Sequence, residues 1–188
     1  MTAWALGSLI VLAVLSYFFY RTLPAFLRFR GARVVACPET GQPAGVEVDA
    51  SRAAVTALGG KPELRLTECS RWPERAGCGQ DCLRQIESSP EGCLVRTLVT
   101  SWYSGKTCVY CGKPFGEIHW HDHKPALQGE SGTLQAWAEV PTEKVPDALA
   151  WGRPVCWSCF VAESFRREHP DLVVDRPWRN EPPHPRPE

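Results

Sequence analysis

The strongest constraint on this chain is a pair of cysteine pairs. Cys108-Val-Tyr-Cys111 and Cys156-Trp-Ser-Cys159 each place two thiols three residues apart. Gly-Lys-Pro-Phe follows the first pair, and glycine lets the backbone curl until both sulfurs face one point. The second pair opens a segment of helical character from Trp157 to His169, and its spacing sets both sulfurs on one side of a first turn. Four thiolates so placed close a tetrahedron around an ion. Zinc is the first candidate and an iron–sulfur centre the second.

The compartment decides how the nine cysteines are read, because an odd number cannot be consumed by internal disulfides alone. From Thr2 to Tyr20 the sequence carries no charged side chain, and a helix of that length rises about 28 Å, close to the hydrocarbon thickness of a bilayer. Tyr17, Phe18, Phe19 and Tyr20 stand at its end, where amphipathic rings favour the interface, and Arg21, Arg28, Arg30 and Arg33 follow. A secretory signal carries its positive charge before the apolar run, whereas here it lies after. The expectation is a single-pass anchor in the cell membrane with the C-terminal part cytoplasmic. Thiols in a reducing cytoplasm are metal ligands more often than disulfides.

Formal charge is zero, but setting aside those four arginines leaves 17 basic against 21 acidic residues, near −4. A mildly acidic soluble part argues against a nucleic-acid partner held by bulk charge.

The expected fold class is α+β: a transmembrane helix followed by small cysteine-rich, metal-stapled modules. Residues 1–34 form the anchor and a basic juxtamembrane segment. Residues 35–93 form a cysteine-rich module, with short strands at 33–37 and 45–49, a helix at Ser51 to Leu58 stopped by Gly59-Gly60, and a strand through Leu64 and Leu66 to Cys69. Asp81 to Ser88 reads as a helix. Residues 94–170 hold a helix and the second module. Ser89-Pro90 is expected to start that helix, Leu94, Leu98 and Trp102 to mark its buried stripe, and Gly105 to end it. Strands are expected at Glu117 to His123 and Thr133 to Val140. Residues 171–188 form a Pro-rich tail. No internal repeat is evident.

Knuckle, hairpin and helix in that order resemble the treble-clef zinc fold over about 60 residues. Within it, His119-Trp-His121-Asp122-His123 places three imidazoles on one face of the expected strand. The Asp122-His123 pair between two Cys-x-x-Cys knuckles resembles the HNH nucleases. That resemblance implies His123 as general base and Asp122 as ligand to a catalytic metal. It departs after the last cysteine, where the family's polar residue is Phe160, and the intervening loop offers Gln128 and Gln135 in place of asparagine.

Cys37, Cys69, Cys78 and Cys82 are candidates for a second metal site, since a module of about 55 residues with few large apolar side chains gains from a metal what its core lacks. Cys93 reads as a small buried residue. The expected role is a membrane-anchored zinc scaffold or accessory subunit, binding one or two zinc ions and a protein partner, without catalysis of its own. Trp72, Trp102, Trp120, Trp137, Trp151, Trp157 and Trp178 are candidate anchors for that partner. An HNH-like nuclease and an iron–sulfur or thiol redox protein are the alternatives.

Overall fold

The computed structural model describes residues 2–75 and 77–172. The Pro-rich tail beyond 172, with Trp178, lies outside the described residues.

One helix, α1 (Thr2–Phe29), carries the apolar opening and runs on past it. Its stretch Gly7–Phe29 is long and apolar enough to cross a membrane, and only 6% of an 18-residue apolar window within it is buried against the rest of the chain. Burial begins at the helix's C-terminal end. Thr22, Ala25 and Phe29 are buried, and α1 packs there on helix α2 (Ala50–Thr56), whose Ala50, Ala53 and Ala54 are themselves buried. Small side chains let the two backbones approach closely. Arg21 Nη2 donates to Ala57 O at 2.8 Å, a second donor to a carbonyl just past α2 that also accepts from Gly60 N at 3.3 Å.

Three antiparallel strands follow in the order β1 (Arg33–Ala36), β2 (Pro43–Val48), β3 (Leu66–Cys69). Val46 and Val48 are buried while Glu47 between them is exposed, the period-two pattern expected of a half-buried strand. Asp49 follows β2 and caps α2, its carboxylate accepting from Arg52 N at 2.8 Å. Val35, Val46, Val48, Leu66 and Ile86 form the first core with Phe29; Ile86 comes from α4 (Leu83–Ser88), which follows the single turn α3 (Trp72–Arg75).

Arg33, counted by sequence with the positive flank and as the start of the first strand, does open β1, but it is 0% exposed. Its guanidinium donates to Pro90 O at 2.7 Å and to Arg28 O in the last turn of α1, and burial lowers its pKa.

The next helix, α5, spans Val95–Tyr103 and begins five residues after the expected Pro90 start. The backbone before it is committed elsewhere: Val34 N donates to Cys93 O at 2.8 Å and Val95 N to Ala32 O at 3.1 Å, so residues 90–94 form turns that border β1 and do not join the helix. The buried stripe shifts with it, to Val99 and Tyr103, leaving Leu98 and Trp102 half-buried. Val35 faces the first core and Val34 the second, so one strand serves both.

The second sheet is β5 (Leu134–Ala136), β4 (Ala126–Gln128), β6 (Arg153–Val155), antiparallel throughout. Helix α6 (Val145–Trp151) precedes β6, and α7 (Trp157–Glu168) follows it. Tyr103 joins helix to sheet, donating to Ala126 O and accepting from Trp137 Nε1 at 2.9 Å; burial raises its pKa. Two expected strands are corrected. Glu117 to His123 forms no strand, and only Leu134–Ala136 of Thr133–Val140 is extended in the sheet, with Trp137–Glu139 coiling into a 3-10 turn.

Candidate metal centre

Cys108 is held by the turn that follows it. Thr107 bridges Pro114, Cys108 N donates to Lys113 O at 2.9 Å, and Gly112 N returns to Cys108 O at 2.9 Å. That closure needs Gly112 at φ +69°, a left-handed conformation glycine enters without steric cost. Val109 N then donates to Pro154 O at 3.0 Å, fastening the turn to β6. Since β6 ends at Val155, the sheet delivers Cys156 to the N-cap of α7, and Cys159 follows on its first turn.

The four ligand atoms of Cys108, Cys111, Cys156 and Cys159 lie within 4.8 Å of one another, so the set could hold a metal ion. Cys111 Sγ and Cys156 Sγ are 3.8 Å apart, and Cys156 N lies 3.3 Å from Cys108 Sγ. Cys108 is buried, Cys156 and Cys159 half-buried, Cys111 exposed. The cage rests on Ala126 and Val155, flanked by Leu134, Phe115 and Phe160. Phe160 stands where the nuclease resemblance expects a polar ligand, and it is a packing residue.

The thiols differ in acidity. Burial opposes ionisation of Cys108, but the N–H groups of Cys156, Cys111 and Tyr110 aim at its sulfur and bring its pKa down to about 6. Cys159 is pushed up by burial and by the thiols of Cys156, Cys111 and Cys108, and Cys156 is also raised, chiefly by burial.

The histidine segment is not brought to this cage. His119, His121, Asp122 and His123 are all exposed on an irregular loop, where Asp122 N donates to His119 O at 3.4 Å. Among the described residues they join no group whose ligand atoms converge on a common point. The His123 ring sits against Trp157, centroids 6.5 Å apart. Asp122 and His123 thus lack the third ligand that the nuclease resemblance requires.

Cys37, Cys69, Cys78 and Cys82 line one cavity of about 30 Å³. Among the described residues, only the Cys108 set draws its sulfurs within 4.8 Å. Cys93 stands apart, half-buried beside Arg33, its sulfur 3.9 Å from Gln85 O. All nine cysteines are free thiols. Of the tryptophans offered as partner anchors, Trp102, Trp120 and Trp137 pack in the second core and Trp72 against the first, while Trp151 is 71% exposed. Comparison with protein-family models, with curated proteins and with solved structures finds no match to the chain.

Proposed function

We propose that this chain is a membrane-anchored zinc protein, a scaffold or accessory subunit whose α1 crosses the cell membrane and whose folded part lies on the cytoplasmic side. The observation that carries the zinc reading is the sulfur geometry. Zn–S bonds of about 2.3 Å give a tetrahedron with edges of about 3.8 Å; the Cys111–Cys156 separation is 3.8 Å. Four protein ligands also leave no open position for water or substrate, the mark of a structural rather than a catalytic ion. The chain order of the Cys108 turn, the β4–β5 hairpin and α7 supports a treble-clef reading.

The anchor reading draws on the bare apolar surface of α1. Leu9, Ile10, Val11, Leu12 and Val14 are each more than half exposed, an arrangement that water disfavours and lipid does not. The same helix continues unbroken into the residues docked on α2, so the folded part sits directly at the end of the apolar segment. Arg28 and Arg30 are exposed there and supply the positive flank. Trp151, exposed at the end of α6, is the tryptophan best placed to anchor a partner.

The test is fractionation and metal analysis of the full chain. It should remain with membranes through alkaline extraction, require detergent for release, and carry colourless zinc. Release without detergent overturns the anchor, and visible absorption from iron overturns zinc.

A further inference from the structure

The turn after Cys37 repeats the turn after Cys108 position by position. Cys37-Pro-Glu-Thr40-Gly41-Gln42-Pro43 aligns with Cys108-Val-Tyr-Cys111-Gly112-Lys113-Pro114. Ala36 pairs with Pro43 as Thr107 bridges Pro114. Cys37 N donates to Gln42 O at 2.9 Å, as Cys108 N does to Lys113 O at the same distance. Gly41 N returns to Cys37 O at 2.7 Å from φ +68°, matching Gly112 at +69°. The Thr40 hydroxyl faces the Cys37 sulfur, and behind it the backbone N–H groups of Thr40 and Glu39, where those of Cys111 and Tyr110 face Cys108. The difference that bears on ligation is Thr40 in place of Cys111.

The remaining sulfurs arrive from other elements. Cys69 ends β3, Cys78 lies beyond α3, and Cys82 is the N-cap of α4, as Cys156 is of α7. All three line the same cavity as Cys37, and its volume of about 30 Å³ suits one ion. Arg71 and Arg75 stand at its wall. Arg71 Nε is buried without a hydrogen-bond partner among the described residues, a donor that a thiolate would satisfy. Glu39 and Asp81 share that wall, and the arginines also reach carboxylates, Arg71 to Glu74 at 3.6 Å and Arg75 to Glu39 at 3.8 Å.

We infer that Cys37, Cys69, Cys78 and Cys82 form a second metal site for zinc or another thiophilic divalent cation, built on a one-cysteine version of the Cys108 turn. Binding draws the four sulfurs inward by side-chain rotation, and the first module, whose core includes Ala44, Ala50 and Ala53, gains a staple. This site stands independently of the Cys108 cage.

The experiment uses the full chain in detergent, purified under reducing conditions without added metal. Metal content is measured, and alkylation of each cysteine by iodoacetamide is followed by peptide mass spectrometry with and without chelator. Two ions per chain are expected, with Cys37, Cys69, Cys78 and Cys82 protected together and losing that protection together on chelation. Cys93 serves as the control, alkylating at a rate that ignores the chelator. A count of one ion with protection confined to the Cys108 set, or alkylation of the four that is indifferent to chelation, overturns the inference. Failure of the cage reading would instead show on the Cys108, Cys111, Cys156 and Cys159 peptides. In Cys111→Ser, whose lesion lies in the other site, the first-module peptides keep their protection.

Discussion

Arg33→Met is the substitution that best tests how α1 is joined to the folded part. The methionine keeps most of the stem but leaves Pro90 O and Arg28 O without their donor. Hydrogen bonds to a charged group contribute about 1.5–3 kcal/mol each, so two set an upper bound of about 3–6 kcal/mol. Against them stands desolvation, the largest influence on this guanidinium and the cause of its lowered pKa, which nearby Cys93 and Glu91 only partly offset. Replacing a buried charge by an apolar chain recovers part of that cost. The acceptors here are fixed backbone carbonyls that cannot be removed with it, so the net loss should be about 2–4 kcal/mol. For a folded part of this size that lowers Tm by about 4–16 °C. Arg33→Lys, whose compact ammonium cannot fork to both carbonyls, should fall between the two. Thermal unfolding of the full chain in detergent, followed by tryptophan fluorescence, makes the measurement. If Arg33→Met is as stable as the parent, the buried charge costs more than its bonds return, and this side chain does not tie α1 to the 90 turn.

Gly45→Ala should destabilise by about 1–2 kcal/mol in the same assay, because its Cβ would stand 2.6 Å from Thr142 Cβ, too close for either module to stay in place. The triple variant His119→Ala/His121→Ala/His123→Ala should bind as many ions as the parent, measured by metal analysis, since those side chains are exposed and outside the cage; loss of an ion would place a histidine among the ligands. Metal retention should fall with acid. Cys156 and Cys159, both raised, keep their protons at neutral pH and must release them to bind, so affinity drops by at least about 100-fold per pH unit, two protons' worth. Below about pH 6 Cys108 adds a further proton, and a competition titration against a chelator of known affinity would show the steeper slope. Exhaustive chelation should abolish cooperative unfolding around the cage, where Cys108, Ala126 and Val155 are the buried residues.

Much of the cage was legible before any coordinate was known. A Cys-x-x-Cys followed by glycine prescribes its own turn, and Cys156-x-x-Cys159 at a helix start prescribes its own face, because both spacings act over a few bonds. Val46 and Val48 alternated with Glu47 as a half-buried strand must, and the uncharged run to Tyr20 gave the long apolar helix. The echo between Cys37-Pro-Glu-Thr-Gly-Gln-Pro and Cys108-Val-Tyr-Cys-Gly-Lys-Pro was present in the same letters, but with Thr40 where Cys111 stands it lacks the paired cysteine that draws attention to such a turn.

Other features depended on partners distant in sequence. The start of α5 at Val95 follows from β1 taking the hydrogen bonds of Cys93 and Val95, which local capping signals at Ser89-Pro90 do not register. His119 to His123 alternate like a strand, yet the sheet edge beside β4 is filled by β6 from 25 residues beyond it, between Gln128 and Arg153 in register. Arg33 reads as one more positive flank until the carbonyls of Arg28 and Pro90 close on it. Sequence by itself determined the chemistry of the ligands and the apolar helix, since residue type and short-range geometry suffice for both. Tertiary structure alone decided which backbone groups pair, which charge is buried and which sulfurs share a wall, because each depends on groups brought together only when the cores form.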